Sequence, residues 1–142
     1  MLSDTLKKVI ADSYVLYFKA HSFHWNVEGS DFAQYHDFLG NFYEDVYGAI
    51  DSYAELVRTL DQYAPTSLSR LLSLSSLSEM SSIPDAKGML TELKRDNDMF
   101  LAVLVAAYDE AEKASEFGIS NFLQDRIQAH EKHAWMLRAI TK

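Results

Sequence analysis

Apolar side chains recur at three- and four-residue spacing along most of the chain, the period of a helix with one face buried. The first such stretch opens at Ser3-Asp4, which offer N-caps, and continues through Leu6, Val9, Ile10, Ser13, Leu16, Tyr17, Ala20 and His24. It is expected to stop at Asn26-Val27-Glu28-Gly29, where a glycine closes the pattern. Ser30 or Asp31 can cap a second helix with the stripe Leu39, Phe42, Tyr43, Val46, Ile50, Tyr53, Val57 and Leu60, closing near Tyr63-Ala64-Pro65. That helix is about 30 residues and roughly 45 Å long at the standard rise. Ile83-Pro84-Asp85 starts a third helix, with Pro at the tolerated first position. Its stripe is Ala86, Met89, Leu90, Leu93, Asn97, Phe100, Leu104, Ala107 and Ala111. Gly118 fits its C-cap and Ser120 the next N-cap, and Leu123, Ile127, His130, Ala134 and Leu137 carry the last helix.

Residues 67–82 break the pattern with eight serines and five leucines, which marks a connection. Leu68, Leu71 and Leu72 can still form a short amphipathic helix lying on the rest. The links on either side of this region are short, so helices one and two should be antiparallel, and likewise three and four. The long middle link fits a crossover that runs the length of the bundle. The expected fold is therefore all-α: a ferritin-like four-helix bundle, one domain over residues 1–142, with a long crossover between helices two and three carrying a short helix.

Composition narrows the function. Two prolines and five glycines in 142 residues argue against an all-β sandwich. Zero cysteines exclude disulfides, thiolate catalysis and Cys-ligated zinc. No apolar run is long enough to span a membrane, and no charged-then-apolar leader is expected, which points to a cytoplasmic protein. Thirteen basic against 21 acidic residues give −8, the wrong sign for wrapping DNA by bulk charge.

Of five histidines, His24 and His36 stand out because Asp51 and Glu55 follow. The two carboxylates are four residues apart, so they share one helix face. Taken singly, such a pair is the ordinary pattern of a solvated face. Hard oxygen ligands combined with imidazole suit iron. His36 and Asp51 lie fifteen residues apart on what reads as one helix, roughly 22 Å, while metal bonds are about 2 Å. One chain cannot bring both to one ion. Two chains can, if their second helices run antiparallel across a two-fold axis near residue 44. Residues 36, 40, 44, 48, 51 and 55 share a face, and Gly40 and Gly48 flank that axis, suggesting close approach of a partner backbone. Two copies of Glu44 would meet near the axis. A site inside the bundle is disfavoured, because no Glu is followed by His three residues later.

These residues carry a resemblance. The run His24-Trp25-Asn26-Val27-Glu28-Gly29-Ser30-Asp31-Phe32 through His36, the Asp51-Ser52-Tyr53-Ala54-Glu55 segment, and His130 through Arg138 resemble the Dps (DNA protection during starvation) family of miniferritins. The similarity spans about residues 6–140. It implies a hollow dodecamer that oxidises Fe(II), preferably with hydrogen peroxide and otherwise with dioxygen, stores ferric mineral and protects against oxidative stress. It further implies iron ligands His24 and His36 from one subunit, Asp51 and a bridging Glu55 from its neighbour, and Trp25 close enough to take up an oxidising equivalent.

Two departures matter. The family commonly has a further carboxylate where this chain has Gly40, which weakens the expected second iron position. Members that bind DNA often use a mobile basic tail, whereas here Lys7, Lys8, Arg138 and Lys142 read as solvated helix-end charges. Twelve copies would carry about −96, so tight DNA binding is not expected. Two other readings stand beside iron oxidation: a DNA-protecting architectural protein and a metal-free helical assembly. The remaining features read more plainly. His130 falls on an apolar stripe as a core histidine; His21 reads as a surface or interface residue, or a group supporting His24; and Trp135 reads as packing. Asp109, Glu110, Glu112, Glu116 and Asp125 form a solvated helix end that a closed shell would turn into a cation pore.

Overall fold

The computed structural model describes residues 1–142 and contains six helices: α1 (Leu2–Asn26), α2 (Phe32–Gly48), α3 (Ile50–Thr59), α4 (Leu68–Leu74), α5 (Ala86–Lys113) and α6 (Phe117–Ile140). Cross-helix contacts set the directions. Thr5 bonds Glu110 while Lys19 bonds Asp96, so α1 and α5 are antiparallel. Tyr17 packs on Tyr47 and His24 on His36, so α1 opposes α2. Asn97 with His130 and Tyr108 with Gln124 set α5 against α6. Helices α2–α3 and α5 therefore run the same way, and residues 60–85 must cross the whole bundle between them. This is the expected ferritin-like topology.

The periodic stripes meet at the centre. Leu6, Leu16, Leu39, Phe42, Tyr53, Leu93, Phe100, Leu104, Leu123 and Leu137 are fully buried. The crossover is pinned from below by Asp12, a fully buried carboxylate of α1. It accepts from the Ser75 hydroxyl at 2.6 Å, the Ser76 amide at 2.6 Å and the Ser76 hydroxyl at 2.9 Å. Ser67 caps α4 by accepting from the Arg70 amide at 3.1 Å, and Leu71 and Leu77 drop into the core.

Several boundaries differ from the sequence reading. The long second helix is interrupted at Ala49, whose amide reaches only Tyr47, so α2 and α3 are separate segments. The preceding Gly48 has no side chain to brace the turn, the usual setting for a helix irregularity. Pro84 lies outside α5; Asp85 is the N-cap instead, accepting from the Gly88 amide at 2.8 Å. Gly118 and Ser120 are not caps but sit inside α6, because the turn between α5 and α6 comes earlier, with Ser115 at φ +56°. Neither Ser3 nor Asp4 caps α1, which begins at Leu2. Gly29 is needed where it is: its φ of +121° closes the turn between α1 and α2.

Candidate metal centre

That turn folds the end of α1 back onto the start of α2, and its two histidines lock together. His24 Nδ1 donates to the carbonyl of His36 at 2.7 Å, and His36 Nδ1 donates to the carbonyl of His24 at 2.8 Å. A carbonyl only accepts, so the neutral form of each ring carries its proton on Nδ1 and leaves the Nε2 lone pair free. The rings stack 3.7 Å apart and 15° from parallel, with Phe32 covering His36 at 5.0 Å. A backbone carbonyl holding the far nitrogen is how protein imidazoles are oriented for metal binding. Here each histidine supplies that support for the other.

Gly40 belongs to the same construction. A Cβ built there would lie 3.1 Å from His24 Cε1 and 3.3 Å from its Nδ1, so the His24 ring occupies the space a side chain would take. Gly40 therefore has a reason within its own chain, beyond the partner approach inferred from sequence. Gly48 has nothing within 4 Å of a built Cβ and carries no such internal constraint.

An aromatic group surrounds the pair. His21 stacks on Tyr43 at 3.9 Å and 8°, bonds Tyr17 through Nδ1 at 2.9 Å, and lies 4.1 Å from the Trp25 ring. Burial, and secondarily the neighbouring His24, lower the His21 pKa below the usual histidine range. Trp25 itself is 57% exposed; it packs on His21 and, edge-on at 6.1 Å, on Phe18.

Asp51 and Glu55 stand on an exposed face of α3, together with Glu44 and Gly48 on α2. They are not gathered with His24 and His36: no group of three or more His, Asp or Glu side chains within one chain is placed to hold an ion. The four predicted site residues thus fall into two half-sets, imidazoles at one end of α2 and carboxylates beyond its other end. Phe18 and Tyr47, 54% and 52% exposed, leave apolar surface near both half-sets.

Two polar clusters lie apart from these residues, and pattern reading did not find them as clusters. Between α1 and α5, the buried Lys19 ammonium sits 2.6 Å from Asp96 and 2.9 Å from Glu92. At the edge of the core, Arg126 of α6 makes a two-pronged bond to the partly exposed Asp45, at 3.1 and 2.9 Å, and donates from Nε to the Tyr53 hydroxyl at 3.2 Å. Its Nη2 is 3.2 Å from His130 Nε2, while His133 Nε2 reaches Asp45 at 2.7 Å. Burial would raise the Asp45 carboxyl, but hydrogen bonds from His133 and Arg126 outweigh it and hold Asp45 well below the usual carboxylate range. Burial, reinforced by His133 and Arg126, keeps His130 well below the usual histidine range. His130 is the fully buried core histidine expected from its stripe. The signal for both clusters was register: Lys19 falls three residues after Leu16, Asp96 three after Leu93 and Arg126 three after Leu123, all on buried stripes.

Comparison with known proteins follows the same lines. A family model for the ferritin-like domain matches residues 3–142. An uncharacterized low temperature-induced protein of Nostoc sp. is 35% identical over 136 residues, covering 94% of this chain and 76% of that one. DNA protection during starvation protein 2 of Bacillus anthracis is 32% identical over 136 residues, covering 96% of this chain and 93% of its own. The crystal structure of a Dps protein from Bacillus brevis superposes with a TM-score of 0.95 at 30% identity, covering 99% of this chain and 95% of that one.

Proposed function

Because the chain belongs to the ferritin-like family, in its Dps branch, we propose that it oxidises Fe(II), preferably with hydrogen peroxide, at sites shared between subunits, and stores the ferric product in a hollow dodecameric shell. A cytoplasmic location and protection against oxidative damage belong to the same reading. No helix is long and apolar enough to cross a membrane.

The observation that carries the proposal is the reciprocal His24–His36 lock. It presents two oriented imidazoles with free Nε2 atoms and no carboxylate partner in their own chain, while Asp51 and Glu55 wait on an exposed face with no imidazole in theirs. Two-fold pairing of subunits completes both half-sets at once. Fe(II) is the substrate. His24 and His36 of one subunit would hold it, and Asp51 and Glu55 of the neighbour would supply two negative charges. Hard anionic oxygens favour the trivalent over the divalent ion, so the carboxylates make the bound iron easier to oxidise. Each Fe(II) gives up one electron, and a peroxide accepts two. Glu55 is the carboxylate that would bridge. Gly40 contributes no oxygen, so the second iron position binds more weakly than the first. Trp25, set against His21, is a candidate to accept an oxidising equivalent when Fe(II) runs short.

Subunit mixing tests the shared site. A His24→Ala, His36→Ala variant is combined with an Asp51→Ala, Glu55→Ala variant under conditions that exchange subunits. Mixed pairs retain one intact site, so peroxide-driven iron oxidation returns. Mixing that restores nothing overturns the proposal.

A further inference from the structure

Metal sites of ferritin-like bundles are commonly built in the bundle core from side chains on facing helices. In this chain α2, α3, α5 and α6 do converge polar side chains on one point between the buried His130 and the partly exposed Asp45, and a guanidinium fills it. Arg126 Nη2 lies 2.9 Å from Asp45 Oδ2 and 3.2 Å from His130 Nε2. The His130 nitrogen is a true acceptor. Asn97 donates its amide nitrogen to the His130 carbonyl at 3.0 Å, which fixes its side-chain oxygen against His130 Nδ1 at 2.7 Å. Nδ1 therefore carries the proton, and the Nε2 lone pair faces Arg126. His133, three residues further along α6, donates its Nε2 proton to Asp45 at 2.7 Å and so steadies the carboxylate.

A carboxylate and an imidazole with its lone pair turned inward are two donors to a divalent metal, and Asn97 and His133 are the outer groups that hold them in place. Metal–ligand bonds are about 2 Å, so these donors would need to close in by only about 1 Å were the guanidinium gone. The fixed positive charge of Arg126 occupies the space, takes both Asp45 oxygens and repels a second cation.

We propose that Arg126 is an internal counter-cation that bars divalent metal from the bundle interior and thereby confines iron to the subunit interface. The inference rests on the interface reading above for where iron does go, and on geometry alone for where it does not.

The test uses the assembled protein and Co(II), whose visible absorption reports histidine ligation without any turnover. In an Asp51→Asn, Glu55→Gln background the interface carboxylates are neutral, and little Co(II) is expected to bind. Adding Arg126→Ala should gain one Co(II) per chain with a histidine-ligand spectrum, and a further Asp45→Asn should abolish it. Arg126→Lys keeps the charge and should gain none. Arg126→Gln, closer in size, serves if the alanine variant does not fold by circular dichroism. Folded neutral variants that take up no additional Co(II), or an Arg126→Lys variant that binds as well as Arg126→Ala, would overturn the inference. The interface reading fails on a different arm: Co(II) uptake undiminished by Asp51→Asn, Glu55→Gln.

Discussion

Replacing Gly40 with alanine should separate stability from metal binding. The added methyl carbon would fall 3.1 Å from His24 Cε1, inside the roughly 3.5 Å at which carbon atoms come to rest. The His24 ring must then withdraw by a few tenths of an ångström. It is held by its 2.7 Å bond to the His36 carbonyl and by the 3.7 Å stack, so withdrawal weakens both. The loss of that hydrogen bond costs up to about 1 kcal/mol. Alanine in a helix interior is better than glycine by about 1 kcal/mol. The two nearly cancel, and the urea midpoint should move by no more than about 1 kcal/mol in free energy. Metal affinity has no such offset. Disturbing the support of a ligating imidazole typically costs about 10–100-fold, and Co(II) titration of the assembled protein should show a loss of that order. Unchanged affinity in Gly40→Ala would refute the idea that this glycine seats His24. A destabilisation near 3 kcal/mol, typical of severe overpacking, would refute it too, by showing a rigid contact in place of a movable ring.

Three further outcomes follow from particular contacts. Lys19→Met leaves Asp96 buried with its 2.6 Å partner gone and its other oxygen without a hydrogen bond, the exposed Arg95 guanidinium 3.8 Å away; denaturation should show a loss of about 3–5 kcal/mol, and adding Asp96→Leu should recover most of it. Asp45 is held below its ordinary pKa, so its contribution is complete above that ordinary value, near 4, and is lost as pH falls below it. Urea midpoints measured from pH 6 to pH 3 should therefore fall more steeply for the parent than for Asp45→Asn, and parallel curves would contradict this. With −8 per chain, a low-salt mobility shift near pH 7 should leave duplex DNA unretarded; retention would show that local basic patches outweigh net charge.

Much of this protein is local in origin and therefore legible in one dimension. Helical periodicity marked the main helices, the serine-rich interval marked the crossover, and the fifteen-residue gap between His36 and Asp51 argued for two chains before any fold was known. The errors were at ends and breaks. The interruption at Ala49, the Asp85 cap and the earlier α5–α6 turn are choices among several local end signals, and pattern alone fixes a helix end only to within a residue or two.

Charged side chains on buried stripes are the harder case. Lys19, Asp96 and Arg126 each occupy a core register, but sequence carries no record of which charge faces which across separations of 73 to 81 residues. The same holds for His24 and His36: their spacing suggested ligands, yet only the folded turn shows that each ring is anchored by the other's carbonyl and that Gly40 makes room for it. Periodicity and spacing follow from the geometry of a single helix, so the chain alone determined the helices and nominated the ligands. Partner identity arises from packing between helices distant in the chain, so the tertiary structure alone decided how the imidazoles are aimed and what fills the bundle core.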